Sequence, residues 1–184
     1  QLKELQHSIK FGLVVGGGNF FRGSIQGKKL GLIPSNAHYI GMLATIMNGI
    51  IIKNIFDSMQ LNSVLFCALN CPEVADQINQ DKIDQALQEN KIVIFTGGTG
   101  NPFFSTDTNA LLRALQMNAT MVWKGTKVDG VYDKDPVHYA EAKKLNKVNF
   151  DFAIQEKLKI MDLSALALAQ EHAIAIKVFN IFEE

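Results

Sequence analysis

Short apolar runs alternate with longer amphipathic stretches along the chain. Residues 11–15, 62–69, 91–95, 119–123 and 174–180 are brief and rich in β-branched or aromatic side chains, the pattern of buried strands. Between them lie helical patterns. Residues 1–10 carry Leu2, Leu5 and Ile9 at helical spacing and read as the end of an amphipathic helix. Residues 40–60 predict a long helix with Met42, Ile46, Met47, Ile50 and Ile51 on a wide apolar face. That face belongs to the core, or reaches a second subunit. A polar helix follows over 76–89, and strong helix formers run from Asn109 to Leu115, with a short helix over 150–157 and another running to Gln170 behind a cap at Asp162 or Ser164. Residues 24–39, broken by Gly27, Gly31 and Pro34, read as a mobile loop. Strand and helix alternating through short connections predict an α/β fold with a mostly parallel sheet between helical layers.

Two of the strands run directly into glycine. After 91–95 comes Thr96-Gly97-Gly98-Thr99-Gly100-Asn101-Pro102-Phe103-Phe104-Ser105-Thr106-Asp107-Thr108, and after 11–15 comes Gly16-Gly17-Gly18-Asn19-Phe20-Phe21-Arg22-Gly23. In an open parallel sheet such turns gather at the carboxyl ends of the strands, where ligands bind. Gly97, Gly98 and Gly100 permit positive φ and a close backbone approach. Thr106 or Asp107 is placed to cap the following helix, whose free N–H groups favour an anion such as phosphate. The glycine triplet suggests a concave nest of N–H groups, and Arg22 adds a forked cation. A tight connection and a surface arginine are the plainer alternatives. Pro102-Phe103-Phe104 weighs against them, because two aromatics in a polar loop suggest an ordered loop or a wall for a flat ring.

Farther on, residues 124–136 combine Thr126, Tyr132, Lys124, Lys127, Asp129 and Asp135, suited to a base, a ribose and phosphates. The same charges also fit a solvated face. Asp129-Gly130 reads as a hairpin turn.

Composition narrows the partners. Eighteen basic and 18 acidic side chains give a formal net charge of zero, which argues against nucleic acid or an anionic membrane as a partner. No signal peptide is visible, and the apolar stretches read as broken before the roughly 18 residues a spanning helix needs. Cys67 and Cys71 lack a metal or redox spacing and read as small buried hydrophobes in a reducing cytoplasm; no protein metal site is expected. There is no G-x-x-x-x-G-K-[ST] loop and no G-x-G-x-x-G fingerprint.

Several long motifs in order identify a resemblance. The two glycine loops, Gly41-Met42-Leu43-Ala44-Thr45 with Asn48-Gly49, Thr126-Lys127-Val128-Asp129-Gly130-Val131-Tyr132 with Asp135-Pro136, Met161-Asp162-Leu163 and Val178-Phe179-Asn180 resemble bacterial UMP kinases of the amino acid kinase superfamily. The resemblance implies a three-layer αβα sandwich, and transfer of the γ-phosphoryl group of ATP to UMP with magnesium. It also implies a homohexamer built on helix contacts, activated by GTP and inhibited by UTP. By position, Gly17, Thr99, Gly100, Asn101, Pro102, Phe103, Phe104, Ser105 and Thr106 are expected to hold UMP. Gly18 and Arg22 are expected near the transferred phosphoryl, Thr126, Tyr132 and Asp135 on ATP, and Asp107 as an organiser of the catalytic centre.

Two departures accompany the match. Family members carry an acidic ribose contact where this chain has His38, so His38 or Asn36 is the candidate substitute. The family also opens with a strand and a Lys-x-Ser-Gly turn that has no counterpart here. The expectation is therefore one amino-acid-kinase domain over 1–184 without its N-terminal strand and a C-terminal piece. Two alternatives stay open at this stage. One is a superfamily kinase acting on a carboxylate or carbamate, disfavoured by Gly-Asn-Pro-Phe-Phe. The other is a nucleotide-binding relative that has lost catalysis, which His38 and the missing lysine favour slightly.

Overall fold

The computed structural model describes residues 2–5 and 8–183. The chain divides into two compact units, Gln1–Asn109 and Ala110–Glu184. The first unit opens with the short helix α1 (Leu2–Leu5); residues 1, 6 and 7 of the expected helix lie outside the described residues.

Four parallel strands build the sheet of the first unit: β1 (Gly12–Val14), β2 (Ser63–Cys67), β3 (Asp76–Gln77) and β4 (Ile92–Thr96), in the order β1-β4-β2-β3. Leu13 and Leu65 both pair with Ile94, so β4 is central and every one of its residues is buried. An uninterrupted apolar strand is what coverage on both faces requires. Helices α2 (Pro34–Ser58) and α3 (Gln80–Gln88) both pack on β4. Ile46 of α2 joins Leu65, Cys67 and Ile94 in one core cluster. Strand alternation sends Phe66 and Phe95 to the other face, where their rings lie 6.4 Å apart.

Three expectations for this unit change. Residues 24–39 are not an open loop: a π-helical turn occupies Gly23–Gly27, and α2 already begins at Pro34, whose fixed φ suits a first helical position. The predicted helix over 76–89 is a two-residue strand followed by α3, because Asn79 accepts from the Lys82 N–H and starts the helix there. Finally, α2 runs 25 residues with a mean hydropathy of 1.4 over its most apolar window, long and apolar enough to cross a membrane by length and composition. Its packing on β2 and β4 makes one face part of the core instead.

The division between the units falls inside α4 (Thr106–Gln116). In the second unit β5 (Met121–Thr126) and β8 (Ala175–Asn180) form a parallel pair, and β6 (Val131–Tyr132) and β7 (Lys144–Leu145) an antiparallel one. The core here gathers Leu111, Val122, Leu158, Leu166, Ala169 and Ile174, with α5 (Phe150–Gln155) and α6 (Leu163–Glu171) around it. Of the two candidate caps for α6, Asp162 is the one that accepts from the Ala165 N–H. Asp129-Gly130 is not the turn of a hairpin. It precedes β6, and Tyr132 pairs with Lys144 across a longer connection.

Helices α2 to α6 all stop in the same way. Gln60, Asn90, Asn118, Lys157 and Ala173 take positive φ between 52° and 58°, and the next N–H returns to the carbonyl five residues back, as from Leu61 to Phe56. This is the left-handed helix stop usually given to glycine. It turns each chain end sharply into the following segment.

Candidate active site

In the first unit the two glycine loops leave neighbouring strands, β1 and β4, at their carboxyl ends. The loop over 16–23 is glycine-rich for a steric reason. None of Gly16, Gly17 and Gly18 has positive φ, so the expected nest geometry is absent there. A Cβ on Gly17 would instead meet the Gly41 carbonyl at 2.7 Å and Ala44 Cβ at 2.8 Å, so only glycine lets the loop lie against α2. The Gly17 carbonyl then accepts from the N–H groups of Phe20 and Phe21, both at 3.0 Å. Arg22 folds back along the loop: its Nε donates to the Gly18 carbonyl at 3.1 Å, and its backbone N–H donates to Gln26 Oε1. The arginine side chain remains exposed.

The second loop does need left-handed backbone. Gly97, Gly98 and Gly100 have φ of +74°, +58° and +81°, and Phe103 joins them at +72° despite its side chain. A phenylalanine in that region is strained, which fits a loop shaped for function. Thr99 and Asn101 tie the loop internally, with Thr99 Oγ1 donating to the Asn101 carbonyl at 3.0 Å. Phe103 is 69% exposed and Phe104 is also exposed, so neither ring is consumed by the core. The helix cap differs from expectation by one residue. Ser105 Oγ accepts from the Thr108 N–H at 3.1 Å, leaving Thr106 and Asp107 in the first turn of α4. Thr106 Oγ1 lies 3.8 Å from where a Gly16 Cβ would stand, which brings the second loop beside the first.

Helix α2 holds both loops. Thr45 is buried and its hydroxyl accepts from the Gly97 N–H at 2.8 Å. One turn on, Asn48 donates to the Gly16 carbonyl at 2.7 Å and exchanges two side-chain hydrogen bonds with Asn19. Sequence reasoning placed Thr45 and Asn48 in a motif without giving them a task; their spacing of three residues on a helix puts them on one face. His38, also on α2, is half-buried with its ring 4.9 Å from that of Phe103. The first unit thus joins Gly17, Gly18, Arg22, His38 and the residues from Thr99 to Asp107 around neighbouring loops.

Thr126, Tyr132 and Asp135 lie in the second unit, where all three line one cavity of about 540 Å³. Lys124, Lys127 and Lys134 line it as well. Rings, a hydroxyl and ammonium groups around one hollow suit a nucleotide with its phosphates. Asp135 is partly engaged in local order, its carboxylate accepting from the Val137 N–H at 2.9 Å. Lys124 Nζ donates to the Ile160 carbonyl at 2.7 Å.

Comparison with known proteins defines the class. Residues 1–180 match the model of the amino acid kinase family. The chain is 46% identical over 180 residues to the uridylate kinase of Thermotoga maritima, covering 97% of this chain and 76% of that protein. It is 44% identical to that of Protochlamydia amoebophila, covering 96% and 70%. Among solved structures, UMP kinase from Ureaplasma parvum superposes with a TM-score of 0.94 at 35% identity, over 99% of this chain and 77% of the other. UMP kinase from Bacillus anthracis gives the same TM-score at 32% identity, over 99% and 75%. The chain belongs to the amino acid kinase family. Within it, the chain sits with the bacterial uridylate kinases, and its parallel strands and covering helices are that family's αβα architecture.

Proposed function

We propose that the chain is an ATP-dependent UMP kinase, in which a phosphate oxygen of UMP attacks the γ-phosphorus of ATP and ADP departs, giving UDP. The observation that supports this reading most is the meeting of the two glycine loops at the ends of β1 and β4, both fastened to α2. Phosphoryl transfer asks a protein chiefly to align the reactants and neutralise charge. The loop over 97–106, with Ser105 and Thr106 at the start of α4, is assigned to UMP. Its hydroxyls and helix N–H groups face the acceptor phosphate, and Phe103 and His38 border the nucleoside. Arg22 supplies positive charge at the transferred group, and Thr126, Tyr132 and Asp135 hold ATP.

Magnesium accompanies the ATP in this proposal. The described residues contain no group of three His, Cys, Asp or Glu side chains able to hold a metal. Asp107 is the one carboxylate in either glycine loop. That donor set fits an ion carried mainly by phosphate oxygens, to which Asp107 would offer a carboxylate, and the ion would neutralise charge on the transferring phosphates.

Assembly into a homohexamer belongs to the same proposal. Leu43, Met47, Ile50, Ile51 and Ile55 form an exposed apolar stripe on α2, suited to a second copy of the helix. Activation by GTP, inhibition by UTP and residence in a reducing cytoplasm complete the reading. The direct test uses ATP labelled at the γ-phosphate: label should appear in the β-phosphate of UDP. Label released only as inorganic phosphate would contradict the assignment.

A further inference from the structure

We propose that Asp129 is a positioning residue for nucleotide binding, whose carboxylate, anchored by Lys144, fixes the ring of Tyr132 in the cavity of the second unit. The proposal rests on the assignment of that cavity to ATP.

Tyr132 lines this cavity, but its hydroxyl points away to a partner: it donates to Asp129 Oδ1 at 2.7 Å. The other carboxylate oxygen accepts from Lys144 Nζ at 2.6 Å. Tyr132 and Lys144 are register partners across β6 and β7, so backbone pairing sets the spacing that the side chains complete. Gly130 makes room for the arrangement. A Cβ there would meet Lys144 Cε at 2.6 Å, so the lysine stem crosses the face of the glycine to reach the carboxylate.

Asp129 and Lys144 line a second hollow of about 540 Å³, while Gly130 and Val131 border both. The aspartate therefore stands behind the tyrosine, away from the first cavity, and acts on a ligand there only through the ring. The hydrogen bond from Lys144, and then that from Tyr132, hold the Asp129 carboxyl at about 2. Its charge is thus constant across the working range of an enzyme. A flat side chain fixed in advance loses less freedom when it contacts a base than one that must be ordered at binding.

The test measures ATP affinity by calorimetry and steady-state kinetics with UMP, on the wild type, Asp129→Ala, Tyr132→Phe and the double variant. Losing a hydrogen bond to a charged group predicts ATP affinity about tenfold weaker in each single variant. In Asp129→Ala, turnover at saturating ATP and KM for UMP should stay within about twofold, because Asp129 is assigned neither to the reacting atoms nor to contact with a nucleotide. The decisive expectation is that the double variant is no weaker than either single one, since both remove the same bond. Unchanged ATP affinity in Tyr132→Phe, or losses that multiply in the double variant, would overturn the clamp. If Asp129→Ala fails to fold, Tyr132→Phe decides alone, because it keeps the aspartate–lysine pair. Wild-type protein that binds ATP without phosphorylating UMP would overturn the UMP kinase reading, while the affinity ratios would still decide the clamp. Wild-type protein that does not bind ATP would overturn both.

Discussion

Arg22 illustrates how a side chain is prepared by its own loop. Its Nε is committed to the Gly18 carbonyl, which ties the guanidinium to its own loop while the side chain stays exposed. A tethered fork of donors is most useful where charge develops, so Arg22→Ala should lower kcat by about a hundredfold and raise KM for UMP far less. Steady-state kinetics with UMP varied at saturating ATP checks this; an unchanged kcat would remove Arg22 from the catalytic centre. Gly17 makes a complementary point. Its identity is dictated by the backbone and side chains of α2 pressed against it, a constraint that no inspection of the loop alone reveals.

Among the elements, α2 carries the greatest share of organisation. Its inner face supplies Ile46 to the core, Thr45 to the second loop and Asn48 to the first, while its outer face stays apolar and exposed. Strands β1, β2, β4, β5 and β8 were legible because they read as short apolar runs, while β3, β6 and β7, of two residues each, carry no such run. The start of α2 was not, because Gly27, Gly31 and Pro34 carry the signature of a loop while Pro34 serves as the first helical residue. The cap at Ser105 was missed by one residue, since four hydroxyl or carboxylate side chains, Ser105 to Thr108, stand in a row there. The helix stops were illegible for a similar reason, because none of the five left-handed positions is glycine. That leaves a measurable strain. Relief of an alanine in left-handed geometry predicts that Ala173→Gly raises unfolding free energy by about 1 kcal/mol. Urea denaturation reads the change, and a destabilised variant would show that Ala173 contributes packing worth more than its strain.

At the scale of the whole molecule, the two compact units divide the proposed work. The first holds the glycine loops and every residue assigned to UMP, and the second holds the residues assigned to ATP. The proposed assembly assigns a role to the exposed stripe on α2. Burying an apolar side chain is worth about 1.5–3 kcal/mol, so placing charge in the stripe with Met47→Glu should dissociate the oligomer. Sedimentation equilibrium should then show a hexamer for the wild type and smaller species for the variant. A wild-type monomer would contradict the role given to α2. The central claim concerns the acceptor, and a comparison of kcat/KM for UMP, CMP, glutamate and carbamate with ATP and magnesium tests it most directly. A loop that hydrogen-bonds the uracil edge predicts UMP favoured over CMP by at least about a hundredfold, with no turnover of either carboxylate-type acceptor. Turnover of glutamate or carbamate with UMP ignored, or equal values for UMP and CMP, would contradict the account.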